Sequence, residues 1–183
     1  MDNSKRKIEL PEPEPVKYLL AATFRHEDVL KQSISTFEEQ FGNIDYQCEV
    51  FKFDHTSYYA QEMGLNLMKQ FFSFTQLNKK DNLVEWKLFS IKLEQAFAQS
   101  GKRQINLDPS YLELAKIVVA STKNFDHRIY LGKGIYGDVQ LRYRGGQFVA
   151  NDWTYADYQS PAMKRFFHKI RNVYYRQLKC LNE

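Results

Sequence analysis

Three short stretches hold the side chains best suited to chemistry. In the first, Lys123 is followed by His127-Arg128, three cationic or titratable groups within six residues. Such a set, beginning in a loop, can hold a carboxylate or phosphate, with Arg128 offering two parallel N–H donors. His127 adds a ring that titrates near neutrality. The plainer account pairs Arg128 with Asp126 or Asp108 and leaves His127 a hydrogen-bonded loop residue. The second stretch, Asp54-His55-Thr56-Ser57-Tyr58-Tyr59 with Glu62, follows an expected strand end, where sites collect. Its carboxylates can act as a general base or bind a divalent ion, or only cap the next element. Asp54 with His55 is too sparse for zinc, which needs three or four ligands, and no metal site is expected. The third, Trp153-Thr154-Tyr155-Ala156-Asp157-Tyr158, precedes a basic helix. Aromatic rings beside cations can stack bases, or they can simply plug the edge of a sheet.

Two apparent nucleotide motifs fail on context. Gly132-Lys133-Gly134-Ile135-Tyr136-Gly137 spells G-x-G-x-x-G, but a strand follows where a helix must start. Without a helix N-terminus there is no fan of free N–H groups for a phosphate. A glycine hairpin accounts for the segment better. Asn78-Lys79-Lys80-Asp81 spells the guanine-reading N-K-x-D, yet no P-loop precedes it.

The composition, 43% apolar and 26% charged, is that of an ordinary soluble globule. The chain is long enough for a substantial core without staples. From Ser160 onward there are six Lys or Arg and one Glu, so the basicity belongs to the last helix. Two cysteines make no framework and point to a reducing compartment. With no apolar leader and no run long enough to span a bilayer, a cytoplasmic protein is expected.

The elements that must position these residues read as follows. Residues 1–15 form a charged, proline-spaced, extended or disordered lead-in; residues 16–183 form one domain. Val16–Phe24 is a strand buried on both faces. A helix spans His26–Phe41, stopped by Gly42. A strand covers Ile44–Phe53, a loop Asp54–Gly64, another strand Leu67–Phe74, and a helix, apolar nearly all round, Leu83–Phe97. Gln104–Leu107 is a short strand. Asp108-Pro109 then matches an N-cap followed by Pro at the first helical position, predicting a helix to about Ser121. Strands follow near His127–Leu131, Ile135–Tyr143 and Gln147–Ala150, the last two joined by a Gly145-Gly146 turn. Ser160-Pro161 opens the final helix. The order βαβ(β)αβαβββα predicts an α+β fold with helices packed on a mixed, largely antiparallel sheet.

Several of these segments, taken in order, resemble a bacterial family catalogued as domain of unknown function 4416. They are Val16–Phe24, Phe51-Lys52-Phe53-Asp54 with Tyr58-Tyr59 and Glu62-Met63-Gly64, Asn106–Leu112, Ser121-Thr122-Lys123, His127–Leu131 with Gly134-Ile135-Tyr136, and Trp153–Tyr158. The resemblance covers nearly everything after residue 15. The departures are Ser110 in place of Gly, Ala156 in place of Pro, and His55 where relatives often lack His; the last argues against an essential His55. The resemblance implies no established activity and no cofactor. Some members carry a "GTP-binding" label, to which the missing P-loop gives no support.

Together these readings describe a pocket with a cationic floor (Lys123, His127, Arg128), acidic groups (Asp54, Glu62, Asp108) and tyrosine walls (Tyr58, Tyr59, Tyr111, Tyr130, Tyr136). His127 with Asp54 or Glu62 would be the acid–base set. Such a pocket suits an anionic, phosphorylated or nucleotide-like small molecule. The competing expectation is a module that binds RNA or a protein through the basic last helix.

Overall fold

A computed structural model describes residues 11–54 and 59–181. His55 and Tyr58 therefore lie outside the described residues, as does most of the expected lead-in. The strands are β1 (Val16–Phe24), β2 (Ile44–Gln47), β3 (Phe51–Lys52), β4 (Met68–Asn78), β5 (Ile105–Leu112), β6 (Lys116–Ser121), β7 (Arg128–Gly132), β8 (Ile135–Arg144) and β9 (Gln147–Ala150). The helices are α1 (Glu27–Phe41), α2 (Ala60–Met63), α3 (Leu83–Ala96), α4 (Ala156–Gln159) and α5 (Pro161–Leu181). The fold is α+β. The strands run in the order β2-β4-β1-β5-β6-β8-β7, with β3 also on β4 and β9 also on β8. Every pair is antiparallel, so the expected mixed component is not found among the described strands. No described helix is long and apolar enough to cross a membrane.

β1 lies inside the sheet between β4 and β5 and is buried along its whole length, because both sheet faces are covered. Tyr18, Leu20 and Ala22 face α1 and α3, where Tyr18 stacks on Trp86 with ring centroids 3.9 Å apart. Leu19 and Ala21 face α5, whose inner stripe is Met163, Phe167, Ile170, Tyr174 and Leu178. Even Lys17 is buried; its ammonium pairs with Asp45.

Turn chemistry behaves as its residues require. Gly145 and Gly146, with φ of 55° and 82°, join β8 to β9, the positive-φ pair of a tight hairpin. Gly132-Lys133-Gly134 joins β7 to β8 and starts no helix. Asn78-Lys79-Lys80-Asp81 is occupied structurally: the Lys79 carbonyl accepts the Tyr18 hydroxyl at 3.1 Å and Lys80 pairs with Glu113 at 2.7 Å. The expected Ile44–Phe53 strand is split into β2 and β3, both on β4.

The expected helix from Asp108 to Ser121 does not form. Asp108-Pro109 lies within β5, and the segment after it turns back as β6. The cap-and-proline pattern is local, and a full ladder from Lys17↔Leu112 to Phe24↔Ile105 against β1 overrides it.

Candidate functional site

That overridden proline shapes the site. β5 and β6 pair only over Ser110↔Val119, Tyr111↔Val118 and Leu112↔Ile117. Beyond Ser110 the strands part. Backbone groups in a strand alternate in direction, so Pro109 and Leu107 face the same side. Pro109 has no N–H to give β6, and the ladder ends one residue short of it. The Leu107 groups are left without a strand partner, and α3 supplies one to each. Leu107 N–H donates to Glu94 Oε1 at 2.7 Å, and Lys87 Nζ donates to the Leu107 carbonyl at 2.8 Å. Sheet rupture here is thus a satisfied arrangement, as buried backbone polar groups demand.

The gap opens into a cavity of about 650 Å³ lined by α3, the parted ends of β5 and β6, the loop to β7, and the start of α4. Lys69, Lys87, Arg103, Lys123 and Arg128 supply five cations to the lining, and Glu94, Asp108 and Asp157 three carboxylates. Phe53, Tyr59, Phe125 and Tyr155 supply rings.

The charges are held by one another. Lys87 Nζ meets Asp108 Oδ1 at 3.0 Å, and Asn106 donates to Asp108 Oδ2 at 2.7 Å. Lys69 meets Asp157 at 2.6 Å, with only 5% and 3% of their side chains exposed. Arg103 grips Glu62 with two bonds of 2.7 Å and reaches Asn106 at 2.9 Å and Glu94 at 3.2 Å. Arg128, 4% exposed, donates to Asp138, Ser121, the Lys123 carbonyl and the Tyr155 hydroxyl.

These contacts separate the two carboxyls on either side of the Leu107 backbone. Burial raises Asp108, but Lys87, Lys69 and the bond from Asn106 outweigh it and hold the group below the usual range. Burial raises Glu94 above its usual value, and the nearby cations offset this only in part. Burial also keeps the Tyr59 and Tyr155 phenols well above their ordinary value, so both present O–H groups at neutral pH.

Of the residues expected from sequence, Tyr59, Asp108, Lys123 and Arg128 line the cavity together. Glu62 stands one step behind, as the carboxylate that fixes Arg103; the salt bridge lowers its own proton affinity. His127 is also set back. It lies between Phe125 and Trp153, with Nε2 3.4 Å from Asp138, and is not in the lining. Asp54 is exposed and outside the lining. Tyr111 packs on the α1/α3 core and is not in the lining. Tyr130 and Tyr136 pair with each other nearer the Gly132 turn, with ring centroids 5.3 Å apart. Trp153 plugs the edge of β8 by donating to the Val139 carbonyl at 3.0 Å.

Lys69, Lys87, Glu94, Arg103 and Asn106 were not among the expected site residues, and Tyr155 and Asp157 belong to the third stretch, which was read for base stacking or as an edge plug rather than for this pocket. One signal for α3 was present: Lys87 and Glu94 lie seven residues apart, on one helical face. Among the described residues there is no group of three or more His, Cys, Asp or Glu arranged for a metal. No match was found among curated proteins or solved structures. Residues 14–174 match the model of the family described as "Domain of unknown function (DUF4416)", and the chain belongs to that family.

Proposed function

We propose that this protein binds an anionic, phosphorylated or nucleotide-like small molecule in the cleft between β5 and β6. The observation that carries the reading is a cavity of about 650 Å³ with five cations, three carboxylates and several aromatic rings on its walls. That volume falls inside the range of roughly 300–1,000 Å³ common to small-molecule sites. The guanidiniums of Arg103 and Arg128 are already oriented by Glu62 and Asp138, so little ordering would remain on binding. The cations suit the anionic group, while Asp108 and Glu94 suit hydroxyl or amino donors on the same molecule. An ionised Asp108 beside a Glu94 of raised proton affinity is also an arrangement able to move a proton on a bound ligand.

The basic face of α5 supports the RNA or protein reading less well, since part of it is engaged within the protein. Arg171 donates to the Leu114 carbonyl at 2.9 Å and lies over Tyr143, and Lys169 lies over Tyr46.

A thermal-shift titration with inorganic phosphate, pyrophosphate and nucleoside monophosphates tests the proposal. At a hundred times its Kd a ligand adds about 2.7 kcal/mol, a rise of roughly 5–10 °C for a chain of this size. Lys123→Gln, at an exposed position, is expected to reduce that rise and leave the unliganded Tm unchanged. If no anion exceeds sodium chloride at matched ionic strength, the reading fails.

A further inference from the structure

Within the cleft, the cations are not equivalent. Lys69, Lys87 and Arg103 each touch a carboxylate that also lines the cavity, namely Asp157, Asp108 and Glu94. An oxyanion beside any of the three would meet that carboxylate as well. Arg128 is arranged differently. Its carboxylate partner, Asp138, is wholly buried and is not in the lining. A guanidinium carries five N–H donors. Arg128 uses four of them: Nε on Asp138, Nη1 on Ser121 Oγ and on the Lys123 carbonyl, and Nη2 on the Tyr155 hydroxyl. One hydrogen on Nη2 is left over. Ser121 Oγ also accepts the Lys123 N–H at 3.2 Å, so both its lone pairs are taken and its own hydrogen must be given elsewhere. Tyr155 accepts from a group that can only donate, so its hydroxyl hydrogen is likewise turned away from Arg128. Among the described residues neither hydroxyl donates a hydrogen bond, and Ser121, Arg128 and Tyr155 all line the cavity.

Resting on the reading of the cleft as an anion site, we propose that these three residues form its phosphate-binding end, a donor-only subsite for a fully deprotonated tetrahedral oxyanion such as the terminal phosphate of a monoester. The donors are the Ser121 O–H, the Tyr155 O–H and the remaining Arg128 N–H. They come from the end of β6, the residue before α4 and the start of β7, and Arg128 ties the three together. Lys123, in the turn folded around Arg128, adds charge at the same end. These donors offer the hydrogen of a P–OH group no acceptor, so a protonated oxyanion forfeits a bond that a dianion makes. The rest of the ligand then extends toward Asp108 and Glu94, the end of the cavity suited to hydroxyl or amino groups.

Isothermal titration calorimetry of the full chain with methyl phosphate and with sulfate tests the subsite. A phosphate monoester loses its second proton near about pH 6, whereas sulfate is a dianion throughout. The affinity for methyl phosphate relative to sulfate is expected to rise about tenfold between about pH 5 and about pH 8. Lys123, His127 beyond Asp138, Tyr59, Asp108 and Asp157 surround this end. Their charges act alike on both anions, so the ratio isolates the proton of the ligand. Tyr155→Phe, which removes one donor, is expected to weaken both anions about tenfold, and Ser121→Ala to do so several-fold. Circular dichroism checks the fold of each variant; where one does not fold, the other and the wild-type ratio decide. A ratio that stays level or falls with rising pH shows an acceptor facing the anion and overturns the proposal. Anion binding unchanged in both variants overturns it too, while leaving the cleft as the anion site. Binding of neither anion removes both readings.

Discussion

Lys87 and Asp108 show how closely the residues of the cleft depend on one another. Lys87 is buried and Asp108 mostly so, with 22% of its side chain exposed to the cleft, and removing one partner leaves the other charge without compensation. Asp108→Asn is expected to cost roughly 3–5 kcal/mol, read from the urea midpoint. Combining it with Lys87→Met should recover part of that loss, because the stranded ammonium is gone; a strictly additive double variant would show the pair is not coupled. Lys123 and Arg128 were readable as cavity-lining cations because, with His127, they crowd into six residues beginning in a loop. Lys87 and Glu94 were not, although they were in plain view in α3. Glu85 and Lys92 share their seven-residue spacing and face outward. Spacing shows which charges share a face; only the packing of α3 on β5 decides which face turns inward. His127 was singled out for its chemistry alone, and its ring is taken up by Phe125 and Trp153.

At the scale of elements, the parting of β5 from β6 turns on Pro109. Pro109→Ala supplies the missing N–H. The account expects the ladder to extend toward Ala120, the new amide at position 109 to be protected from hydrogen exchange, and the anion-dependent rise in Tm to shrink. An unprotected amide at 109 with an undiminished rise would show that the proline does not keep the strands apart. β5 itself was legible in part. Asn106, Asp108 and Ser110 alternate with Ile105, Leu107 and Tyr111, the period of two that marks a strand. The cap reading of Asp108-Pro109 displaced it, since a cap needs only four neighbouring residues whereas a ladder depends on β1, some ninety positions away. Where geometry is set locally, as at Gly145-Gly146 and Ser160-Pro161, sequence and structure agree; Ser160 Oγ accepts the Met163 N–H at 3.2 Å.

For the whole molecule, the internal ion pairs set the response to acid. Glu62 is lowered chiefly by its bonds from Arg103. For Asp108 and Glu113, burial pushes upward, but their lysine partners prevail and the net shift is downward. A carboxylate lowered in the folded state stabilises it fully above the ordinary value near 4, and that stability is lost as pH falls through the folded value. Glu94, raised by burial, acts in the opposite sense: its ionisation costs stability above its folded value. Urea midpoints are therefore expected to fall steeply below about pH 4, and Asp108→Asn should make that fall shallower. A midpoint flat down to pH 2 would contradict the lowered carboxyls. The central claim, that the cleft between β5 and β6 is the binding site, is tested most directly by amide chemical-shift mapping during a pyrophosphate titration. The account predicts saturable shifts concentrated at Asn106, Ala120 to Lys123, Phe125 and Tyr155. Shifts confined to the outer face of α5 around Lys164 and Arg165, or none at all, would contradict it.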